Sequence, residues 1–191
     1  MPVERLVAAV AAGLTTLGEN RVQEAEEKAG AVAGATWHLV GPLQSNKVRR
    51  ALELFETIQS VDSVQLARRI DRLAANVRPG GRIPVLLQVN VDDDEAKAGF
   101  QPAALDGSLV EILVLERLEV RGLMTIGRLV ERPADARPTF AALRAASERL
   151  RARHPGLGRD LSMGMSDDYD IAVEEGATIV RVGRALFGER H

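Results

Sequence analysis

Two segments near the C-terminus carry the residues whose types and spacing best suit chemistry. Ser162–Asp168 reads Ser-Met-Gly-Met-Ser-Asp-Asp, and Thr178–Arg184 reads Thr-Ile-Val-Arg-Val-Gly-Arg. Each has the pattern of a short apolar strand that runs into a tight turn, with Gly164 and Ser166 in the first turn and Gly183 in the second. Glycine lets backbone amides approach an anion closely, and a serine hydroxyl adds a donor. Because the last two such turns of a strand–helix barrel commonly bind phosphate, the segments predict a site for a phosphorylated ligand.

Arg181 lies inside the second apolar segment and predicts a further polar group beside the phosphate. It alternates with Val180 and Val182, so its side chain points to the opposite face of the strand. A buried guanidinium needs an anion or an acceptor as its partner. An arginine directed outward at a surface-facing strand end is the alternative that these residues leave open.

Composition limits the class of protein. The chain has 191 residues, of which 46% are hydrophobic and 27% charged, which is typical of a globular domain. A net charge of −2 gives no support to a nucleic-acid or anionic-membrane partner, and the absence of cysteine fits the cytoplasm. The apolar stretch 6–17 lacks a positive leading region and is too short to span a bilayer, so it predicts an amphipathic helix. We expect one cytoplasmic domain over residues 1–191.

Strand-like and helix-like segments alternate along the chain, which predicts parallel βαβ units. Seven strands are expected, at residues 14–17, 36–40, 57–60, 83–91, 118–126, 161–163 and 178–182. A closed barrel of this type needs eight strands, and this sequence opens on a helix at residues 3–12. The pattern therefore predicts an α/β fold of the TIM-type (β/α)8 barrel class with its first strand missing. An open doubly wound sheet is the alternative, although its G-x-G-x-x-G turn does not occur here.

Five motifs in a fixed order carry a resemblance to a known family. They are Gly18-Glu19-Asn20, the run from Trp37 to Lys47, Arg121-Gly122-Leu123-Met124, Gly164-Met165-Ser166-Asp167-Asp168, and Arg181-Val182-Gly183 with Phe187-Gly188. The set resembles the YggS/PROSC group of pyridoxal phosphate homeostasis proteins, from Pro2 to the C-terminus. The resemblance implies a barrel similar to the N-terminal domain of bacterial alanine racemase, with pyridoxal 5′-phosphate held as a Schiff base on a lysine at the end of the first strand.

The start of the sequence departs from that family. Pro2-Val3-Glu4 aligns with the end of the family's segment Ala-Val-Ser-Lys-Thr-Lys-Pro, so the cofactor-bearing lysine has no counterpart here. Two expectations follow and both stay open. Either this sequence is a truncated record of a longer protein, or the chain binds the cofactor weakly and without a covalent bond.

The resemblance implies six cofactor-binding residues: Asn20, Met165, Ser166, Arg181, Gly183 and Arg184. Ser166 and the amides of the last turn would hold the phosphate, Arg181 would face the pyridine nitrogen, and Asn20 and Met165 would flank the ring. A permanent cation at that nitrogen weakens the ring as an electron sink, which argues against strong carbanion chemistry. The structural alternatives are helix capping by Asn20 or Ser166 and an ordinary tight turn at Gly183.

The other reactive side chains are weaker candidates for chemistry. Lys47 and Lys97 follow strands and are the remaining amine candidates, whereas Lys28 is expected on a polar helix face. His38 is interpreted as a structural core histidine. Residues 92–95, Asp-Asp-Asp-Glu, do not match a calcium loop and predict a polar loop, so no metal is expected.

Three functions are compatible with these residues. The resemblance favours a non-catalytic carrier or buffer of pyridoxal phosphate that serves cofactor-dependent apo-enzymes. An alanine-racemase-like isomerase would need the lysine and an opposed base, for which Tyr169 is the only tyrosine. A cofactor-free barrel enzyme acting on a phosphorylated metabolite would need an acid–base pair at the strand ends, and the sequence offers none that is convincing.

Overall fold

Parallel strands and helices alternate along the chain in the computed structural model, which describes residues 1–128 and 130–188. The described strands are β1 Thr16–Glu19, β2 Thr36–Leu39, β3 Thr57–Val61, β4 Ile83–Gln88, β5 Leu118–Met124, β6 Asp160–Met165 and β7 Ile179–Arg181. They form one sheet in the order of the chain, and every neighbouring pair is parallel. The seven expected strands and the parallel arrangement are confirmed.

Helices connect successive strands and cover the outer face of the sheet. They are α1 Val3–Ala11, α2 Val22–Ala29, α3 Val48–Leu54, α4 Val64–Val77, α5 Leu105–Leu113, α6 Arg137–Arg153, α7 Tyr169–Glu174 and α8 Arg184–Phe187. Ser63 caps α4, as its side chain accepts a hydrogen bond from the Leu66 amide at 3.3 Å. Within the described ranges, no helix combines the length and the apolar composition needed to cross a bilayer.

The first strand lies two residues later than the sequence predicted. The end of α1 explains the shift, because the amide of Gly13 donates to Val10 and the amide of Leu14 donates to Ala9. These two bonds form a Schellman cap, which uses Leu14 to end the helix instead of starting the strand. The consequence is that Asn20 follows β1 directly.

The sheet curves into a nearly closed barrel. Gln59 on β3 and Ser162 on β6 are separated by two strands in the sheet, yet their side chains hydrogen-bond at 2.7 Å. Only a sheet that curls around a common interior brings these two strands face to face. A TIM-type barrel is therefore confirmed, with β1 and β7 at the two edges of the described sheet. Beside these edges, α1 contacts α8 through a 2.8 Å hydrogen bond from Arg5 to the carbonyl of Phe187.

Most of the apolar core lies between the helices and the outer face of the barrel. The largest fully buried side chains include Phe55, Ile70, Leu109 and Phe140. Burial of such side chains stabilises the fold by roughly 1.5–3 kcal/mol each. The packed helices thus fix the strands, and the strands fix the positions of the residues at their carboxyl ends.

Lys28 corrects a sequence expectation. It does not lie on a solvated polar face, since only 8% of its surface is exposed. Its Nζ donates to Glu19 Oε1 at 2.5 Å, and Glu24 lies 3.4 Å away. The expectation was wrong because helix periodicity shows which face of α2 is polar but not that the acidic Glu19 on β1 packs beneath it.

Candidate ligand-binding site

The predicted phosphate residues converge beyond the ends of β6 and β7. Ser166 Oγ accepts hydrogen bonds from the amide of Gly183 at 3.3 Å and from the amide of Ala185 at 3.2 Å. These residues are accessible to solvent. A hydroxyl and two backbone N–H groups at one exposed position form an arrangement that suits an anion with several acceptor oxygens.

Ser166 is not the cap of the following helix. Asp168 occupies the N-cap position of α7. Its carboxylate accepts a hydrogen bond at 2.6 Å from the amide of Met165, three residues earlier, and this bond closes the turn. Arg184 directs its side chain to the carboxylate of Asp167. The helix-cap alternative for Ser166 is therefore wrong, and the hydroxyl faces the last turn instead.

The turn after β6 depends on Gly164. Its φ of +89° lies in the region that side chains rarely adopt, and an added Cβ would lie 2.5 Å from Ala172 Cβ. This close approach lets α7 pack directly on the end of β6. Gly164 thereby fixes the direction in which Ser166 leaves the strand.

A pair of glycine substitutions separates the free-energy cost of backbone strain at this turn from the cost of steric overlap. Gly164→Ala is expected to lower the free energy of unfolding by about 2–3 kcal/mol, because backbone strain and a steric overlap add together. Gly176→Ala is the matched control, since Gly176 has a φ of +90° but its Cβ would meet nothing closer than Arg144 Cδ at 3.8 Å. Urea denaturation measures both variants. Equal losses would show that the contact with Ala172 contributes nothing.

Arg181 points into the barrel. Its two terminal nitrogens donate to Ser162 Oγ at 2.7 Å and to the carbonyl of Thr125 at 2.8 Å. Burial lowers the pKa of Arg181 to about 10, and the carboxylate of Asp168 opposes this shift. A pKa of about 10 keeps the guanidinium charged at neutral pH. The alternative of an outward-facing arginine is wrong.

A chain of hydrogen bonds extends from Arg181 across the barrel interior. Ser162 Oγ donates to Gln59 Oε1 at 2.7 Å, and Gln59 Nε2 lies 2.9 Å from His38 Nδ1. We name His38, Gln59, Ser162 and Arg181 the interior chain. Burial lowers the pKa of His38, although the carboxylates of Glu56 and Asp160 partly oppose the effect. The ring of His38 thus has a side-chain hydrogen-bond partner, which agrees with the structural role expected for it.

Asn20 lies exposed at the carboxyl end of β1. It is not a helix cap, because α2 begins at Val22 and Arg21 occupies the N-cap position. The end of β2 approaches it so closely that a Cβ on Gly41 would overlap the Asn20 carbonyl. Met165, which is 40% exposed, ends β6 at the same end of the barrel. The structure thus leaves both side chains available at the barrel mouth.

The acidic run of residues 92–95 after β4 stabilises the loop in which it lies through hydrogen bonds and ion pairs. Asp92 accepts hydrogen bonds from the Thr139 hydroxyl at 2.5 Å and from the Arg128 amide at 3.0 Å. Lys97 Nζ lies 3.9 Å from Asp92 and 3.6 Å from Asp94. Across residues 1–128 and 130–188, no three histidine or acidic side chains are grouped closely enough to hold a metal ion.

Sequence reasoning missed three contributors to this site. Ala185 supplies an amide to Ser166, and Thr125 supplies a carbonyl to Arg181. Gln59 was not singled out, although an amide side chain in the middle of a predicted strand was a signal that could have found it.

Comparison with known proteins assigns this chain to a family. The family model for the alanine racemase N-terminal domain matches residues 2–191. A pyridoxal phosphate homeostasis protein of Aquifex aeolicus is 42% identical over 180 residues, which cover 93% of this chain and 78% of the relative. The chain belongs to the pyridoxal phosphate homeostasis protein family. The Escherichia coli member of this family is 36% identical over 195 residues, covering 99% of this chain and 82% of its own.

Solved structures support the same assignment. PipY of Synechococcus elongatus, solved with PLP bound, superimposes with a TM-score of 0.91 at 43% identity, covering 98% of this chain and 88% of PipY. The alanine racemase of Clostridium difficile has a TM-score of 0.82 at 16% identity, covering 98% of this chain and 48% of the racemase. The second likeness shows that the homeostasis protein family shares the fold of the racemase barrel.

Proposed function

We propose that the chain is a single-domain protein that binds pyridoxal 5′-phosphate and serves its homeostasis without catalysing a reaction. The observation that carries the proposal is the meeting of Ser166 Oγ with the amides of Gly183 and Ala185, at the barrel end where β7 also presents Arg181. The names of the relatives and the PLP-bound PipY structure support the same ligand.

The donor set fits this ligand. A phosphate monoester presents several acceptor oxygens, and the hydroxyl of Ser166 with the amides of Gly183 and Ala185 supplies three donors. The two hydrogen bonds of Arg181 leave other N–H groups of its guanidinium to donate to a ring acceptor. The exposed Met165 and Asn20 would contact the ring, and the side chain of Arg184 contacts Asp167 in the turn after β6.

Arg181 supports a binding role, because its charge argues against strong carbanion chemistry on a bound ring. Pyridoxal phosphate, when bound, supplies an aldehyde that reacts with amines and a ring that can accept electrons. Because Arg181 stays charged at neutral pH, it favours an unprotonated ring nitrogen and so a weak electron acceptor. We propose that the chain buffers the cofactor in the cytoplasm and supplies it to cofactor-dependent apo-enzymes.

Titration of the purified chain with pyridoxal phosphate and with pyridoxal tests the proposal. We expect saturable 1:1 binding, with the phosphate ester bound about 100-fold more tightly, because charge-assisted hydrogen bonds contribute roughly 1.5–3 kcal/mol each. Equal affinities would contradict a phosphate site. Borohydride reduction of the same samples, followed by peptide mapping, tests the mode of binding. We expect no adduct, because Lys28 and Lys97 are paired with carboxylates and Lys47 is the half-buried N-cap residue of α3.

A further inference from the structure

We propose that His38, Gln59 and Ser162 position Arg181 and make ligand binding sensitive to the protonation of His38. The proposal rests on the proposed function for its ligand, but its structural part concerns the chain alone. The four side chains lie on four strands, with Gln59 and Ser162 buried and His38 and Arg181 half-buried, and together they orient the guanidinium.

The hydrogen-bonding capacities of the four side chains fix the direction of the interior chain. A guanidinium can only donate, so Ser162 Oγ must accept from Arg181 and donate its own proton to Gln59 Oε1. The amide of Gln59 then presents Nε2 to His38, and Nδ1 of the ring must accept. The geometry therefore assigns a neutral His38 with its proton on Nε2.

Burial makes this arrangement difficult to replace. Gln59 is 1% exposed and Ser162 is fully buried, so water cannot take over a lost partner at either residue. A buried donor or acceptor without a partner costs more than an ordinary hydrogen bond contributes. The interior chain also crosses the barrel between β3 and β6. It therefore links the strand that carries His38 with the strand that carries Arg181.

Protonation of His38 breaks the pattern. Nδ1 would become a donor that faces the donating Nε2 of Gln59, so the amide would have to turn over. Ser162 would then face two donors, Gln59 and Arg181, and its own proton would lose its acceptor. The charged groups that act on His38 are the carboxylates of Glu56 and Asp160, with Arg181 at the far end of the interior chain. Acidification is thus expected to disturb the contact on which Arg181 depends.

The first test uses the chain without ligand. Nitrogen-15 NMR of the imidazole of His38 is expected to show the Nε2–H form at pH 7.5, and burial is expected to hold the pKa of His38 below its ordinary value. In Gln59→Leu the acceptor role of Nδ1 has no donor opposite it, so the signature of a hydrogen-bonded Nδ1 is expected to disappear. An Nδ1–H form in the unaltered chain would overturn the proposal whatever the chain binds.

The second test measures pyridoxal phosphate affinity from pH 5.5 to 8.0. Ser162→Ala and Gln59→Leu are expected to weaken binding about tenfold at pH 7.5 and to shift the absorption of the bound ligand, because the guanidinium no longer holds one orientation. His38→Leu should behave alike, whereas His38→Asn should bind as the unaltered chain does at pH 7.5, since its Oδ1 can accept from Gln59. His38→Asn should also lose the part of the acid-induced weakening that belongs to the protein.

Ser147→Ala is the matched control for a buried serine. Ser147 is 2% exposed and lies on α6, outside the interior chain, so its removal should leave the affinity and spectrum unchanged. Thermal melting identifies variants that fail to fold. The comparison of His38→Asn with His38→Leu then decides whether ligand binding needs a hydrogen-bond acceptor at this position. If the unaltered chain binds but Gln59→Leu, Ser162→Ala and His38→Leu bind equally well, the positioning role is wrong and the proposed function stands. If the unaltered chain does not bind, the proposed function is wrong and the NMR test still judges the interior chain.

Discussion

Ser166→Asp is expected to reduce the affinity for pyridoxal phosphate by about 1,000-fold. Ser166 Oγ already accepts from the amides of Gly183 and Ala185, so an aspartate at this position would take both donors. It would also place a negative charge about 4 Å from the phosphate, and two such charges repel by about 4 kcal/mol at an effective dielectric constant of 20. That free energy corresponds to the expected factor. Fluorescence or absorbance titration at pH 7.5 gives the dissociation constants.

Two comparisons isolate the effect of Ser166. Ser63→Asp adds the same charge at the N-cap of α4, where aspartate also caps well, and should leave the affinity unchanged. Pyridoxal, which has no phosphate, should bind Ser166→Asp and the unaltered chain about equally. If Ser166→Asp holds pyridoxal phosphate within fivefold of the unaltered chain, the phosphate lies elsewhere.

Arg181→Met is expected to weaken pyridoxal phosphate binding by about 100-fold. The substitution removes the charged donor that we propose for the ring, and a hydrogen bond to a charged group contributes roughly 1.5–3 kcal/mol. It also leaves Ser162 Oγ and the Thr125 carbonyl without their donor, so the interior of the site relaxes. Because Met is close to Arg in length, the strand packing is expected to survive. The same titration measures the loss, and the absorption of the residual bound ligand should shift.

Arg78→Met serves as the control for a lost arginine. Arg78 is half-buried like Arg181 and donates to the Phe55 carbonyl at the same 2.8 Å, but it lies at the other end of the barrel, before β4. Its loss should affect thermal stability without changing affinity. An equal loss of affinity in Arg78→Met and Arg181→Met would show that general destabilisation, and not the contact with the ring, is responsible.

Local patterns were sufficient to predict the elements of the barrel. Strand-like segments marked all seven strands, because strand propensity depends largely on the local sequence. The shift of β1 was not predicted, since the hydrogen bonds of Gly13 and Leu14 at the end of α1 competed with the strand. The predicted boundary of β1 was wrong because Leu14 could belong either to the end of the helix or to the start of the strand.

The site was predictable to the extent that its residues lie in the two turns. Ser166 and Gly183 follow strands in sequence, so a parallel topology brings them together. The interior chain was not predictable, because the bond between Gln59 and Ser162 joins residues 103 positions apart through barrel curvature. The expectation for Lys28 was wrong for a different reason, because helix periodicity does not show that Glu19 on the neighbouring β1 packs against it. Side-chain partners that depend on the closure of the barrel leave no periodic trace in the sequence.

Amide chemical shifts test the phosphate site most directly. In nitrogen-15 spectra of the full chain, pyridoxal phosphate is expected to move the amide signals of Gly183 and Ala185 strongly downfield, because each N–H exchanges the Ser166 hydroxyl for a charged acceptor. Pyridoxal should leave both signals almost unmoved. If pyridoxal phosphate binds and these two amides keep their shifts, the turn after β7 does not hold the phosphate and the account is contradicted.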